Sequence, residues 1–159
     1  MKVTTPDLSQ ERHTLIAAIT DTQFLTQLRT ILDPSLLESE YATNVLRWCL
    51  DYFDKTLKAP GREITHLYEL NRHALRSEQS QELTATFLAS ISSEFETEGK
   101  QNTEYSVSVA TSLFHKRKLV QLRDKLDAAI GKADLDIADQ FIANYRRPQQ
   151  PKLGGIRLF

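Results

Sequence analysis

TEYSVSVATSLFHKRKLVQLRDKLDAAI, residues 103–130, contains neither proline nor glycine. So long a stretch without a breaker predicts one helix, roughly 40 Å long at about 1.5 Å per residue. Its apolar face is not constant. In the first half the apolar residues are Val107, Ala110, Leu113 and Phe114; in the second they are Leu119, Leu122, Leu126, Ala129 and Ile130. At about 100° per residue the two sets are centred on nearly opposite sides of the helix. The switch falls at His115-Lys116-Arg117-Lys118. One helix therefore serves two packing environments, a globular core first and something else afterwards.

The residues after Ile130 support that division. Gly131-Lys132-Ala133-Asp134 reads as a tight turn, with Gly131 closing the long helix and Asp134 capping the next. A final helix, Leu135 to Tyr145, carries the stripe Leu135, Ala138, Phe141, Ile142 and Tyr145, and is expected to fold back as an αα-hairpin. Two helices alone have little core. The hairpin stripes therefore predict a self-association surface made of Leu119, Leu122, Leu126, Ile130, Phe141, Ile142 and Tyr145. The remainder, RRPQQPKLGGIRLF (residues 146–159), is punctuated by proline and glycine and reads as an extended tail or linker. Its last residues, Ile156 to Phe159, suit either a connection to a following domain or a short peptide for a sliding clamp, against the plain reading of a loose end.

Upstream, breakers sit at joints: Pro6, Pro34, Pro60, Gly61 and Gly99. Asp7 with Gln10 has the form of a capping box and predicts a first helix through Leu8, Leu15, Ile16 and Ile19. Thr20 with Gln23 repeats it for a second helix through Phe24, Leu25, Leu28, Ile31 and Leu32. Asp33-Pro34 predicts the start of a long central helix running to about Lys58. Its apolar residues, including Leu37, Tyr41, Val45, Leu46, Trp48, Cys49, Leu50, Phe53 and Leu57, cover about half the circumference. A short helix with Ile64, Leu67 and Tyr68 comes after Pro60-Gly61. Another comes after Ser77, with Leu83, Phe87, Leu88, Ile91 and Phe95, before a polar loop at 99–102. The predicted fold is all-α: a small helical bundle (1–102), the long helix and hairpin (103–145, the first half packed on the bundle), then the tail (146–159).

Composition narrows the function. The chain has 159 residues, 40 % hydrophobic and 26 % charged, with a net charge of −1. No bulk field draws it to nucleic acid or a membrane, and no apolar run is long enough to span a bilayer. One cysteine and no secretion signal read as a cytoplasmic protein. There is no phosphate-binding loop, dinucleotide fingerprint, HExxH, nucleophile elbow or Cys/His zinc spacing. Hence no catalytic residue, metal or cofactor is assigned. His13, His66, His73 and His115 are scattered; His66 and His73, seven apart, could share a helix face but lack a third ligand. Cys49 on an apolar stripe reads as a buried structural thiol. The acids of Glu94 to Glu98 read as a solvated helix end. The basic residues Lys116, Arg117, Lys118, Arg123 and Lys125, joined by Arg146 and Arg147, are the candidate phosphate contacts, against the ordinary solvated role of charges on a long helix.

The order of elements resembles the N-terminal domain of DnaB-type replicative helicases, the phage-like ones above all. The stretch that carries the resemblance is FLTQLRTILDPSLLESEYATNVLRWCLDYFDKTLKAP, residues 24–60. Its marks are Asp33-Pro34-Ser35-Leu36-Leu37, the aromatic segment Trp48 to Phe53, and Leu57-Lys58-Ala59-Pro60. Leu37 stands where an aromatic is commoner in that family. The Lys116-Arg117-Lys118-Leu119 helix and the short helix after it are similar to the family's hairpin. The resemblance implies a homo-oligomer built through paired hairpins, a collar on which primase or a helicase loader docks, and a separate motor domain holding the nucleotide site. Weak or no direct nucleic-acid binding is then expected. The alternative is an unrelated helical adaptor or regulator, from a phage or mobile element, that binds one protein partner.

Overall fold

The computed structural model describes residues 5–92 and 102–148. Among these are seven α-helices and two 3₁₀ turns, with no strand, so the chain is all-α as expected. Helix α1 spans Thr5–Thr20, α2 Thr22–Leu28, α3 Glu40–Thr56, α4 Glu63–Asn71, α5 Glu78–Ser90, α6 Thr103–Gly131 and α7 Leu135–Asn144. Helix α3 packs on α1, α4 and α5; α6 packs on α1 and α2 and then on α7. The core gathers Leu15 and Ile19 of α1, Phe24 and Leu28 of α2, Val45, Leu46 and Cys49 of α3, and Leu113 and Phe114 of α6.

Several helix ends differ from the sequence expectation. Asp7 lies inside α1, not at its start. The cap of α2 is Asp21, whose Oδ1 accepts from the Phe24 amide at 3.2 Å. Thr20 instead donates back to the Ile16 carbonyl at 2.7 Å. Asp21 wins because its other oxygen accepts from the Thr103 hydroxyl at 2.7 Å, tying α2 to the start of α6. A bidentate pair, Arg29 with Asp54 at 2.8 and 2.7 Å, joins the end of α2 to α3. Those hydrogen bonds hold the Asp54 carboxyl below its usual range and raise the Arg29 guanidinium above its own.

The predicted central helix from Pro34 to Lys58 is broken. Asp33 caps only a 3₁₀ turn, Pro34–Leu36, after which Leu37 is extended (φ −81°, ψ 149°) and α3 starts at Glu40. The cause is long-range. In an unbroken helix the Leu36 carbonyl would accept from residue 40 and the Glu38 amide would donate to residue 34. Here the Leu36 carbonyl accepts from Arg117 at 2.8 Å and the Glu38 amide donates to Glu11 at 2.7 Å. The break turns Leu37 into the core. At its other end α3 stops at Leu57, which is left-handed (φ 63°), and Gly61 (φ 55°) takes a left-handed conformation that glycine adopts at little cost.

Three assignments to the apolar faces of the bundle helices are also corrected. Leu8, Leu57 and Leu83 are exposed. In the hairpin turn Gly131 is the last residue of α6, and the left-handed residue is Ala133 (φ 59°). Asp134 does cap α7, accepting from the Ile137 amide at 3.2 Å. Phe95, the acids of 94–98, most of the 99–102 loop and the tail beyond Pro148 lie outside the described residues.

Candidate functional site

The change of face along α6 is present in the burial pattern. Ser106, Val107, Ala110, Leu113 and Phe114 are buried, whereas Ala129 alone is buried in the second half. Beyond Arg117 a cleft of ≈ 600 Å³ opens between Val120, Gln121 and Asp124 on one side and Ser35 to Glu38 on the other. The helix leaves the bundle there, and α7 becomes its neighbour.

The point of departure is held by a buried ion pair. Arg117 Nη1 lies 2.8 Å from Glu11 Oε2, with side chains 10 % and 4 % exposed. Three partners close the arrangement: the carboxylate on α1, the guanidinium on α6, and the backbone of residues 36–38 between them. This corrects one predicted phosphate contact. Arg117 is a structural clasp, turned inward, while its sequence neighbour Lys116 is exposed.

The seven predicted interface residues divide into two sets. Leu122, Leu126, Phe141 and Tyr145 are half-buried; Leu122, Phe141 and Tyr145 line a cleft of ≈ 390 Å³ between α6 and α7. Lys125 sits over the Phe141 ring at 5.4 Å. Leu119, Ile130 and Ile142 are instead 44 %, 58 % and 57 % exposed, and Leu135, outside the predicted interface, is 62 % exposed. Leu119 and Ile130 are eleven residues apart, about three turns; Leu135 and Ile142 are seven apart, about two turns. In an antiparallel pair meeting through Ala129 and Ala138, these four fall on the same side of the hairpin. The seven-residue spacing of Leu135 and Ile142 was the available signal.

The remaining basic residues collect elsewhere. Lys118 and Arg146 line the cleft between the helices together with Gln121, Lys125 and Asn144. The same two line a second cleft, ≈ 270 Å³, with Thr30, Ile31, Asp33, Leu36, Arg147 and Pro148. Lys118 and Arg146 thus lie between the two clefts and line both. Arg123 belongs to neither; it pairs with Asp124 at 3.2 Å on the surface. Lys116 is exposed on the helix.

Other candidate chemistry is not assembled. His66 is on α4 and His73 in the 3₁₀ turn Arg72–Ala74, so their spacing does not put them on one helix face. His13 faces the Ser106 hydroxyl at 2.9 Å, but Ser106 is buried. Cys49 is fully buried, and burial pushes its thiol well up from its ordinary value. A buried thiol with so little thiolate is expected to resist an aromatic disulfide reagent at pH 8 in the native protein and to react fully in urea. Native reaction at the rate of a free cysteine would show that the α3 stripe is not closed. Among the described residues no helix is long and apolar enough to cross a membrane. No protein-family model, curated protein or solved structure matches the chain.

Proposed function

We propose that this chain is a non-catalytic assembly and docking module that associates with copies of itself through the hairpin. The observation that supports it is the row Leu119, Ile130, Leu135 and Ile142, four large aliphatic side chains exposed on one side of two helices with little core of their own. An apolar face of this kind is self-complementary about a two-fold axis, the commonest symmetry of homo-oligomers. Within that reading the chain works as the N-terminal domain of a DnaB-type replicative helicase, whose bundle is left for primase or a loader. A phosphate-loop ATPase encoded directly after Phe159 would support this assignment. Its absence there would favour the helical adaptor, with the hairpin face given to another protein.

The association itself is tested by light scattering. Leu122→Glu and Leu126→Glu are poor probes, because both side chains are half-buried and the charges would damage the hairpin. Leu119→Glu with Ile130→Glu acts on the exposed row. The wild type is expected to be dimeric or larger at millimolar concentration, and the double variant a monomer with unchanged helical circular dichroism. A wild type that stays monomeric under those conditions removes the self-association.

A further inference from the structure

Among the described residues some cations have a carboxylate within ion-pair distance and others have none, Arg47, Lys55, Lys58 and Lys132 among the latter. Arg29, Arg72, Arg76, Arg117 and Arg123 each lie within ion-pair distance of a carboxylate. Lys118, Lys125, Arg146 and Arg147, which line the two adjoining clefts, have no carboxylate partner within that distance among the described residues. Lys125 rests on the Phe141 ring, and Arg146 donates through Nη1 to the carbonyls of Ala143 and Tyr145, both at 2.8 Å. One carboxylate, Asp33, lines the trough, and its Oδ1 is engaged by the amide and hydroxyl of Ser35. Four cations against one carboxylate, in a concave site, make a local field that the net charge of −1 hides. Tyr145, which lines the same trough, has a hydroxyl buried with no hydrogen-bond partner among the described residues. Such a group is to be satisfied by water or by whatever occupies the cleft.

We infer that this trough binds the backbone of a single-stranded nucleic acid. The reading goes beyond the assembly role and does not depend on it. On α6, Lys118 and Lys125 stand about 100–140° round the helix from the exposed residues Leu119 and Ile130. The trough therefore stays open when the exposed row is covered. Its parts suit a strand: cations spaced along a groove, side-chain amides from Gln121 and Asn144, and the rings of Phe141 and Tyr145 beside them. Clefts of ≈ 390 and ≈ 270 Å³ take units of nucleotide size in succession. A duplex carries its phosphates on a convex cylinder and does not enter a cleft between neighbouring helices. An acidic peptide would satisfy the cations but not use the rings.

The test is fluorescence anisotropy of a labelled oligothymidylate with the full chain at low salt, repeated as salt is raised. Four phosphate contacts predict that log K falls against log salt with a slope of roughly three, about 0.7 per contact on a single strand. Lys118→Ala and Arg147→Ala should each weaken binding several-fold and lower the slope by about 0.7. Lys132→Ala, at the tip of the hairpin, should match the wild type, and circular dichroism checks that each variant folds. A Leu119→Gln, Ile130→Gln variant, which breaks the apolar row without adding charge, should bind as the wild type does, so failure of the assembly reading leaves this one standing. Four results would overturn it: no binding at low salt, preference for a duplex of the same length, displacement by polyglutamate as effective as by unlabelled oligonucleotide, or equal losses in Lys118→Ala and Lys132→Ala.

Discussion

Replacing Arg117 by methionine is expected to lower the stability of the fold by about 3–5 kcal/mol, because it removes one member of a buried ion pair and strands the other. Methionine keeps most of the aliphatic length, so the loss is electrostatic and not a cavity. Glu11, 4 % exposed, would keep the Glu38 amide as a donor at 2.7 Å but lose the cation that balances its charge. The Leu36 carbonyl would lose the hydrogen bond that compensates it for being outside a helix. For a chain of this size the fall in Tm should be roughly 10 °C or more. Glu11→Leu together with Arg117→Met should cost less than the sum of the single changes, since no unpaired charge remains. It should not restore the wild type, because the Leu36 carbonyl and Glu38 amide stay without partners. Urea denaturation of the four proteins gives the coupling energy directly. A single-variant loss under about 1 kcal/mol would mean that the pair behaves like a surface salt bridge.

The same clasp explains why part of the fold is illegible in the sequence. Helix existence could be read from breakers and periodicity, and so could the reversal of face in α6, since both are local. The interruption between Pro34 and Glu40 was not local. It depends on Glu11, 27 positions before Glu38, and on Arg117, 81 positions after Leu36. Within Lys116-Arg117-Lys118 nothing in the sequence marks the middle residue as the one that turns inward. Asp21 prevailed over Thr20 as a cap through a contact with Thr103, 82 positions away. The candidate sites show the same limit. Hydrophobic spacing pointed to the hairpin as the exposed apolar element. It did not tell the residues between the two helices, Leu122 and Phe141, from those turned outward, Leu119 and Ile142. The run of lysines and arginines from Lys116 to Lys125, with Arg146 and Arg147, pointed to a basic cluster. Only the return of Arg146 and Arg147 to the bundle beside Lys118 made it concave.

Phe114→Ala and Leu119→Ala are expected to differ sharply although they lie five residues apart on one helix. Phe114 is fully buried in the core shared by α1, α2 and α6. Its truncation removes a ring from a closed site and leaves a cavity that the surrounding helices fill only in part, a cost of about 3–5 kcal/mol. Leu119 is 44 % exposed and past the point where α6 leaves the bundle. Truncation there should change the stability of the monomer by about 0.5 kcal/mol or less. Both values are to be taken from urea unfolding at low protein concentration, because association through the hairpin would add its own free energy to the Leu119 result. Repeating the measurement at high concentration should then raise the stability of the wild type more than that of Leu119→Ala, while Phe114→Ala gains as much as the wild type. Equal costs for the two substitutions at low concentration would contradict a helix that is core at one end and interface at the other.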